Sequence, residues 1–239
     1  MAVDFEAVSA AVRATGLIPR GGFHPQPEDQ VPPLPGGEPP ATVVLVGSVG
    51  GDAGRALWAA FRSSPEADSA AHPLDRWCER VTSGLAVRLE AHALFPFHGP
   101  PYLPFLRWAL RAETVWPSPL GMLIHPDYGL WHAYRGALAF AQRLELPSRP
   151  SRDNPCDSCR ERPCLSACPV DAFTGQGYDV APCVDWIANE RGAACLHGSC
   201  RARVACPVGP EYRYHQEQAQ FHMQAFLAAR RRAAHGGQR

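Results

Sequence analysis

The chain has 239 residues, of which 46% are hydrophobic, and its 23 basic residues balance 23 acidic ones. This balance provides no global field to attract nucleic acid or an anionic membrane, so we expect neither as a partner. Every one of these basic residues is an arginine. The lack of lysine excludes Schiff-base catalysis and a lysine-bearing phosphate loop.

The first residues include early acidic side chains and no basic segment, which argues against a signal peptide. The longest apolar stretches are too short to cross a bilayer. We therefore expect a cytoplasmic protein. Nine cysteines in that compartment favour metal binding over disulfide formation.

Helices and strands are predicted to alternate in the first part of the chain. A short amphipathic helix is expected over residues 4–14, then an extended connector rich in proline over 19–40, a buried strand over 41–51 and a helix over 52–62. The glycines after that strand lack the G-x-G-x-x-G spacing, so they do not indicate a nucleotide site.

Helices and strands are predicted to keep alternating up to about residue 147. A long helix is predicted after Pro73, followed by a strand over 93–97 and a helix over 102–112. Residues 119–141 are predicted to form two strands joined by a turn at the His125-Pro-Asp-Tyr-Gly segment. Together these elements predict an α/β domain over residues 1–147.

Residues 148–239 are predicted to form a second, smaller domain. A linker of turn-forming residues leads into a cysteine-rich module from Asn154 to about Pro210, and a helix follows from Glu211. That helix ends with several arginines, which suit a helix C-terminus.

Eight of the nine cysteines occur in two runs that each end in Cys-Pro. The first run is Cys156-x2-Cys159-x4-Cys164-x3-Cys168-Pro169. The second set is Cys183, then Cys195-x4-Cys200-x5-Cys206-Pro207. A 4Fe–4S cluster needs four thiolates around one small inorganic core, and a remote Cys-Pro often supplies the fourth. The duplicated pattern predicts two 4Fe–4S clusters and hence electron transfer.

The ligand sets follow by analogy with two-cluster ferredoxins, in which the fourth ligand comes from the opposite motif. One set is Cys156, Cys159, Cys164 and Cys206. The other is Cys168, Cys183, Cys195 and Cys200. The spacing departs from the bacterial x2-x2-x3 pattern, because two extra residues precede Cys164 and the second motif is looser. This departure bears on the individual assignments rather than on the presence of clusters.

Zinc is the alternative metal, because four thiolates also bind zinc. Zinc ribbons usually contain two CxxC pairs, however, and only Cys156 and Cys159 have that spacing. The ninth cysteine, Cys78, falls in the predicted long helix. We interpret it as a buried structural thiol.

The order of the cysteine motifs resembles the iron–sulfur domain of epoxyqueuosine reductase. Both have a Cys-Pro run, a solitary cysteine (here Cys183) and a closing Cys-Pro run. Those enzymes pass electrons from two clusters to a bound cobalamin. This chain is shorter, and no helical repeat domain is recognisable after the clusters. We therefore do not expect the resemblance to extend to queuosine chemistry.

A second resemblance concerns residues 125–140, HPDYGLWHAYRGALAF, which are similar to the HPxFGGWFAIRG stretch of CblC-type cobalamin-processing proteins. The likeness extends over roughly residues 15–145. It implies a flavin-reductase- or nitroreductase-like α+β domain at the N-terminus, followed by a small ferredoxin-type module and a terminal helix. It also implies cobalamin as a second cofactor, with four candidate cofactor-binding residues: His125, Trp131, Tyr134 and Arg135.

Each of these four residues also has a structural interpretation. His125 can start a turn with Pro126, while Trp131 and Tyr134 can belong to the core. Arg135 is the most informative, because an arginine is rarely buried without an anionic partner. In the CblC-type family the matching arginine contributes to the thiol-substrate site.

Three functions remain open on these grounds. The first is an oxidoreductase that takes electrons from a redox partner protein and reduces cobalamin, free or on a cobalamin-dependent enzyme. The second is a ferredoxin-like electron carrier without a corrinoid. The third is a zinc-stabilised interaction protein.

Overall fold

The structure is a computed structural model that describes residues 3–69, 71–174 and 177–236. Its α-helices are α1 (Phe5–Arg13), α2 (Arg55–Arg62), α3 (Pro73–Arg88), α4 (Phe105–Ala112), α5 (Pro155–Ser158), α6 (Pro163–Ser166), α7 (Val180–Ile187), α8 (Ala193–Gly198), α9 (Arg201–Val204) and α10 (Gln216–Gly236). Its strands are β1 (Ile18–Phe23), β2 (Thr42–Val49), β3 (His92–Leu94), β4 (Trp116–Pro117), β5 (Leu123–Ile124) and β6 (His132–Phe140).

The chain divides into two compact units. The first unit consists of the chain through Val49, Ala53–Val115 and His132–Arg152, and the second of Gly50–Asp52, Trp116–Trp131 and the chain from Asp153 onward. The predicted domains differ from these units mainly in segment 116–131. This segment belongs to the second unit because three of its aliphatic side chains are buried together with Ala202 and Cys206.

The first unit is built on a four-stranded antiparallel sheet with the order β1-β2-β6-β3. Every residue of β2 is buried, as expected for an apolar strand covered on both faces. In β2 and β6, Val44 lies opposite Leu138, and the register shifts between Val46 and Gly47. This strand confirms the prediction for residues 41–51.

The helices of this unit begin and end close to their predicted positions. Asp4 caps α1 by accepting a hydrogen bond of 2.7 Å from the backbone N–H of Ala7. Val8 and Val12 lie one turn apart on its buried face. Helix α3 begins at Pro73, where a proline fits the first turn. Helix α4 begins later than predicted, directly after Pro104.

Two strands of the first unit differ from the prediction. The connector predicted over residues 19–40 includes most of β1, which pairs with β2 at the edge of the sheet. An edge position tolerates Pro19, because its missing N–H need not pair there. Strand β3 covers His92–Leu94 rather than residues 93–97. The proline-rich composition of the connector concealed the first strand.

The second unit contains a two-stranded sheet of β4 and β5, short helices and the terminal helix α10. The two strands predicted within 119–141 therefore do not pair with each other, because β5 pairs with β4 and β6 with β2 and β3. Helix α10 packs on α7 and α8, where Leu227 is buried with Ile187 and Cys195. Within the described residues, no helix is both long and apolar enough to cross a membrane.

Candidate metal centre

Four cysteines of the second unit line one cavity that is partly open to solvent. They are Cys156, Cys159, Cys164 and Cys206. The first three come from the turn formed by α5 and α6, and the fourth comes from the segment after α9. Arg162 and Ile124 also line this cavity.

The other four cysteines line a second cavity, which is also partly open to solvent. They are Cys168, Cys183, Cys195 and Cys200. The rest of the wall is largely apolar and includes Trp186, Ile187 and Met223. The structure thus brings together the same two sets of four that the ferredoxin analogy predicts, and their roles as ligands remain a prediction.

Local backbone features place the cysteines of the first cavity. The side chain of Asn154 accepts a hydrogen bond of 3.1 Å from the backbone N–H of Cys156, which caps α5. Helices α5 and α6 both begin with a proline, so Cys156 and Cys164 follow in the first turn. Arg162, before α6, has a left-handed backbone with a φ of 41°. This bend accommodates the two additional residues before Cys164.

Burial raises the pKa of five of the thiols: Cys156, Cys164, Cys183, Cys200 and Cys206. Neighbouring thiols raise it further, and the neighbours of Cys156 include Cys206, although fifty residues separate them. Hydrogen bonds from backbone N–H groups lower the pKa instead, as the N–H of Val208 does at Cys206. A metal centre offsets the cost of deprotonating such buried thiols.

These donor sets fit two 4Fe–4S clusters, because each consists of four thiols around a cavity rather than around one point. Among the described residues, no group of three or more His, Cys, Asp or Glu side chains is arranged to hold a single metal ion. Cys78 lies outside both sets and is fully buried in α3. Burial raises its pKa to about 11, as expected for an inert structural thiol.

His125 and Trp131, two of the predicted cofactor-binding residues, lie in the second unit. The Nδ1 atom of His125 accepts hydrogen bonds from the backbone N–H groups of Asp127 and Tyr128 at 3.1 and 3.2 Å. Its ring stacks on Tyr128 at 4.2 Å. Trp131 is only 1% exposed. Both residues therefore stabilise the fold of the segment in which they occur.

The turn at residues 125–129 packs against the chain that follows Cys206. Gly129 has a φ of +56°, and a Cβ atom at this position would collide with the carbonyl oxygen of Val208. Gly209 has a φ of +64° and lies equally close to the backbone of the turn. Only glycines allow this backbone-to-backbone contact. The turn thus supports the segment that carries Cys206.

Arg203, which no sequence pattern singled out, contacts the same region. Its guanidinium lies between two rings, 4.3 Å from the centre of Trp131 and 4.6 Å from that of Tyr214. Its Nε and Nη2 atoms donate to the carbonyl oxygen of Leu130 at 3.1 and 2.6 Å. This residue fixes the short helix α9 between Cys200 and Cys206. Trp131 lies far earlier in the chain, so the local sequence around Arg203 did not indicate this role.

Tyr134 and Arg135, the other two predicted cofactor-binding residues, lie on β6 in the first unit. The hydroxyl of Tyr134 donates to the carboxylate of Glu113, and burial raises its pKa well above the usual range. Arg135 is half-buried, and its Nε atom donates to the hydroxyl of Ser48 at 3.2 Å. Tyr134 is thus part of a buried network, while Arg135 remains the better candidate for a ligand.

Comparisons with known proteins bear on the fold. No protein-family model and no curated protein match the chain. An epoxyqueuosine reductase solved with a tRNA-Tyr epoxyqueuosine-modified stem loop matches with 14% identity and a TM-score of 0.50, over 88% of this chain and 66% of that one. The Bacillus subtilis epoxyqueuosine reductase matches with 16% identity and a TM-score of 0.48, over 81% and 55%. The chain has a mixed α/β fold similar to that of epoxyqueuosine reductase.

The chain spans 55–66% of the length of these epoxyqueuosine reductases. The comparison supports the predicted resemblance to that enzyme at the level of the fold, whereas a CblC-like domain is not shown. It also corrects the prediction that excluded nucleic acid as a partner, because a protein of similar fold was solved with a tRNA stem loop. Balanced net charge was the wrong criterion, since binding depends on local clusters of basic residues.

Proposed function

We propose that this chain is an iron–sulfur reductase that passes electrons through two 4Fe–4S clusters to a bound acceptor. The observation that supports this proposal most directly is the grouping of eight cysteines into two sets of four, each lining one cavity. When bound, such clusters supply electrons at low potential. The chain would hold them with thiolates, and the lining of the second cavity is largely apolar.

The two cavities are close enough to act as a relay. Cys164 and Cys168 belong to different sets but are separated by four residues, which cover at most about 14 Å of extended chain. Cys200 and Cys206 are similarly connected through α9. Clusters held by these two sets would therefore lie close enough to exchange an electron within the second unit.

The first prediction concerns cluster content. Chain reconstituted anaerobically with iron and sulfide is expected to contain about eight irons and eight acid-labile sulfides, because two cubane clusters require them. Iron and sulfide analysis measures both quantities. The control is Cys78→Ala, which is expected to keep all the iron because Cys78 lies outside both sets. Stoichiometric zinc without sulfide would instead identify a zinc-stabilised protein.

A corrinoid is the acceptor that the sequence resemblances favour, and we propose it as such. The support comes from the cysteine motifs, which are similar to those of a cobalamin-dependent reductase, and from the CblC-like segment around Arg135. Reduction by clusters is reasonable for a corrinoid in the base-off form, which has lost one ligand on cobalt and is easier to reduce.

The second prediction tests this acceptor. Titration of the reconstituted chain with aquocobalamin is expected to shift its visible spectrum toward the base-off form, and Arg135→Ala is expected to weaken binding about ten- to a hundredfold. The reason is that alanine loses a charge-assisted hydrogen bond worth about 1.5–3 kcal/mol. Arg107→Ala is the matched control, since Arg107 is exposed and pairs with Gln30. Unchanged spectra and no co-elution of cobalamin would contradict the corrinoid.

An RNA substrate is the second candidate, favoured by the neighbour that was solved with a modified tRNA stem loop. In that case the clusters reduce a modified base, and a corrinoid, if present, is an intermediate carrier. A labelled tRNA stem loop should then bind with an affinity that falls steeply as salt is raised, because phosphate contacts release counterions. A chain that reduces only corrinoids leaves the stem loop unbound at every salt concentration.

A further inference from the structure

A bulge in strand β6 gives Arg135 a place of its own in the sheet of the first unit. Val46 of β2 lies opposite Gly136 on β6. The next residue, Gly47, lies opposite Tyr134 instead of Arg135. Arg135 is therefore the extra residue on β6 and has no partner on β2. A bulge interrupts the regular alternation of side chains along a strand and re-aims the side chain that it carries.

The guanidinium of Arg135 has unused donors. Its Nε atom donates to the hydroxyl of Ser48 at 3.2 Å, and the residue is half-buried. In the part of the chain that the structure describes, no carboxylate pairs with Arg135 and its two Nη atoms have no hydrogen-bond partner. Arg20 on β1 differs, because two of its nitrogen atoms donate to Glu113. Arg135 thus has the charge and the donors for an anion that the protein itself does not provide.

The two side chains that lie beside Arg135, Ser48 and Cys78, are neutral. Ser48 is only 2% exposed, and because it accepts from Arg135, its own proton is available to a second acceptor. The thiol of Cys78 is close enough for the charge of Arg135 to act on it, but burial raises its pKa to about 11. Asp75 also acts on Cys78, but it pairs with His72 at 3.7 Å. An oxyanion at Arg135 would therefore meet hydrogen-bond donors rather than a carboxylate.

A buried hydroxyl close to the bulge also lacks a partner. Thr82 on α3 is fully buried, and its Oγ1 atom has no hydrogen-bond partner within the described residues. Its methyl carbon lies 3.3 Å from the place that a Cβ atom would take at Gly136, the residue after Arg135. Buried polar groups without a partner are rare in proteins and call for an explanation. Together with the free Nη atoms of Arg135, this hydroxyl favours a polar ligand at the bulge.

We propose that Arg135 and Ser48 form an oxyanion site in the first unit and that this site binds a phosphate group of the acceptor. A guanidinium offers its Nη donors as a planar fork, which matches the oxygens of a phosphate. Ser48 holds the fork through Nε and adds a donor of its own. The inference rests on the proposed function, since it names the part of the acceptor that the first unit recognises. Cobalamin in its nucleotide tail and RNA in its backbone both carry phosphodiesters.

Isothermal titration calorimetry of the full chain with inorganic phosphate, in a buffer without other oxyanions, tests the site itself. Arg135→Ala is expected to weaken phosphate binding at least about tenfold, because alanine removes the fork. Arg135→Lys keeps the charge without the fork and should bind with an intermediate affinity, which distinguishes a lost ligand contact from a disturbed bulge. Arg107→Ala is the matched control and should bind as the unaltered chain does, since Arg107 pairs with Gln30. An unaltered chain that binds no phosphate, or an Arg135→Ala variant that binds it equally well, would overturn the inference.

Two corrinoids and an RNA identify the source of the phosphate. Aquocobalamin has a nucleotide tail with a phosphodiester, whereas diaquacobinamide has the same ring without that tail. With a corrinoid as the source, Arg135→Ala weakens binding of aquocobalamin about ten- to a hundredfold and leaves that of diaquacobinamide unchanged. With RNA as the source, a tRNA stem loop displaces phosphate from the site and aquocobalamin does not. Equal weakening of the two corrinoids would overturn the inference, because Arg135 would then contact the ring.

Failure of this site and failure of the proposed function give different results, because phosphate binding does not require the clusters. Chain without labile sulfide that still loses phosphate binding in Arg135→Ala refutes the reductase and keeps the oxyanion site. Chain with about eight irons whose Arg135→Ala variant binds phosphate unchanged keeps the reductase and overturns the site.

Discussion

Cys206→Ala is expected to remove the same cluster as Cys156→Ala, whereas Cys168→Ala is expected to remove the other. Each substitution should lower the iron content from about eight to about four per chain. The physical reason is that Cys206 lines the cavity of Cys156, Cys159 and Cys164, while Cys168 lines the other cavity. Iron analysis gives the loss, and electron paramagnetic resonance spectra identify which cluster remains.

The spectra distinguish this crossed arrangement from one in which each motif closes its own cluster. In the latter case Cys206→Ala would give the same residual spectrum as Cys195→Ala, and Cys168→Ala the same as Cys156→Ala. Each loss should also destabilise the second unit, because short helices joined by loops depend on the metal for their fold. Ser166→Ala, in the same helix α6 as Cys164, is a control that should retain both clusters.

The cysteine motifs could be recognised because ligand spacing is a local property of the sequence, whereas the two crossed sets of four came from the analogy with two-cluster ferredoxins. Both Cys-Pro steps and the solitary Cys183 are visible without any tertiary information. The supporting residues could not be predicted in the same way. Arg203 contacts Trp131, which lies far earlier in the chain, as well as Tyr214 after α9.

The segment at residues 125–131 makes structural contacts that its sequence pattern did not indicate. Its resemblance to a cobalamin-processing family predicts that His125 and Trp131 contact a cofactor, and this stays a prediction. In the structure, His125 accepts hydrogen bonds from its own turn and Trp131 stacks on Arg203. The close contact with Val208 explains why position 129 is a glycine. The sequence alone could not show this, because Val208 lies about eighty residues further along the chain.

In the four-stranded sheet, one strand could be predicted from local sequence and another could not. Strand β2 was predictable because it is uniformly apolar. Strand β1 was not, because its sequence contains proline and two glycines, and because Arg20 occupies an inward position. Arg20 is only 1% exposed and crosses β2 over Gly47, where a Cβ atom would collide with its side chain. A charged residue predicts an exposed position unless its partner is known.

That partner is Glu113, and its replacement should have the largest effect on the stability of the first unit. The Nε and Nη2 atoms of Arg20 donate to the two carboxylate oxygens of Glu113 at 3.0 and 2.5 Å. The side chain of Glu113 is 12% exposed, and Tyr134 donates to it as well. Glu113→Ala leaves the buried guanidinium without its counter-charge, so we expect a loss of about 3–5 kcal/mol. Urea unfolding measures this loss.

An exposed ion pair of the same unit provides the matched control. Arg80 donates to Glu66 at 2.5 and 3.0 Å, but its own side chain is 55% exposed. The hydrogen bond from Arg80 lowers the pKa of Glu66 to about 2, yet solvent screening limits the pair to about 0–1 kcal/mol. Glu66→Ala should therefore be nearly neutral. The two pairs differ mainly in the arginine, which is buried in Arg20 and exposed in Arg80. Equal losses for the two glutamate variants would therefore contradict the cost of leaving the buried Arg20 guanidinium unpaired.

Removing both partners distinguishes an uncompensated charge from lost packing. The double variant Arg20→Met, Glu113→Leu is expected to be more stable than Glu113→Ala alone, because no charge then remains buried. Tyr134 loses its acceptor in both variants, so its contribution cancels in the comparison. If the double variant were instead less stable than Glu113→Ala by the full loss that Arg20→Met causes on its own, the two residues would stabilise the unit independently. The buried pair would then not account for an arginine placed inside the sheet of this fold.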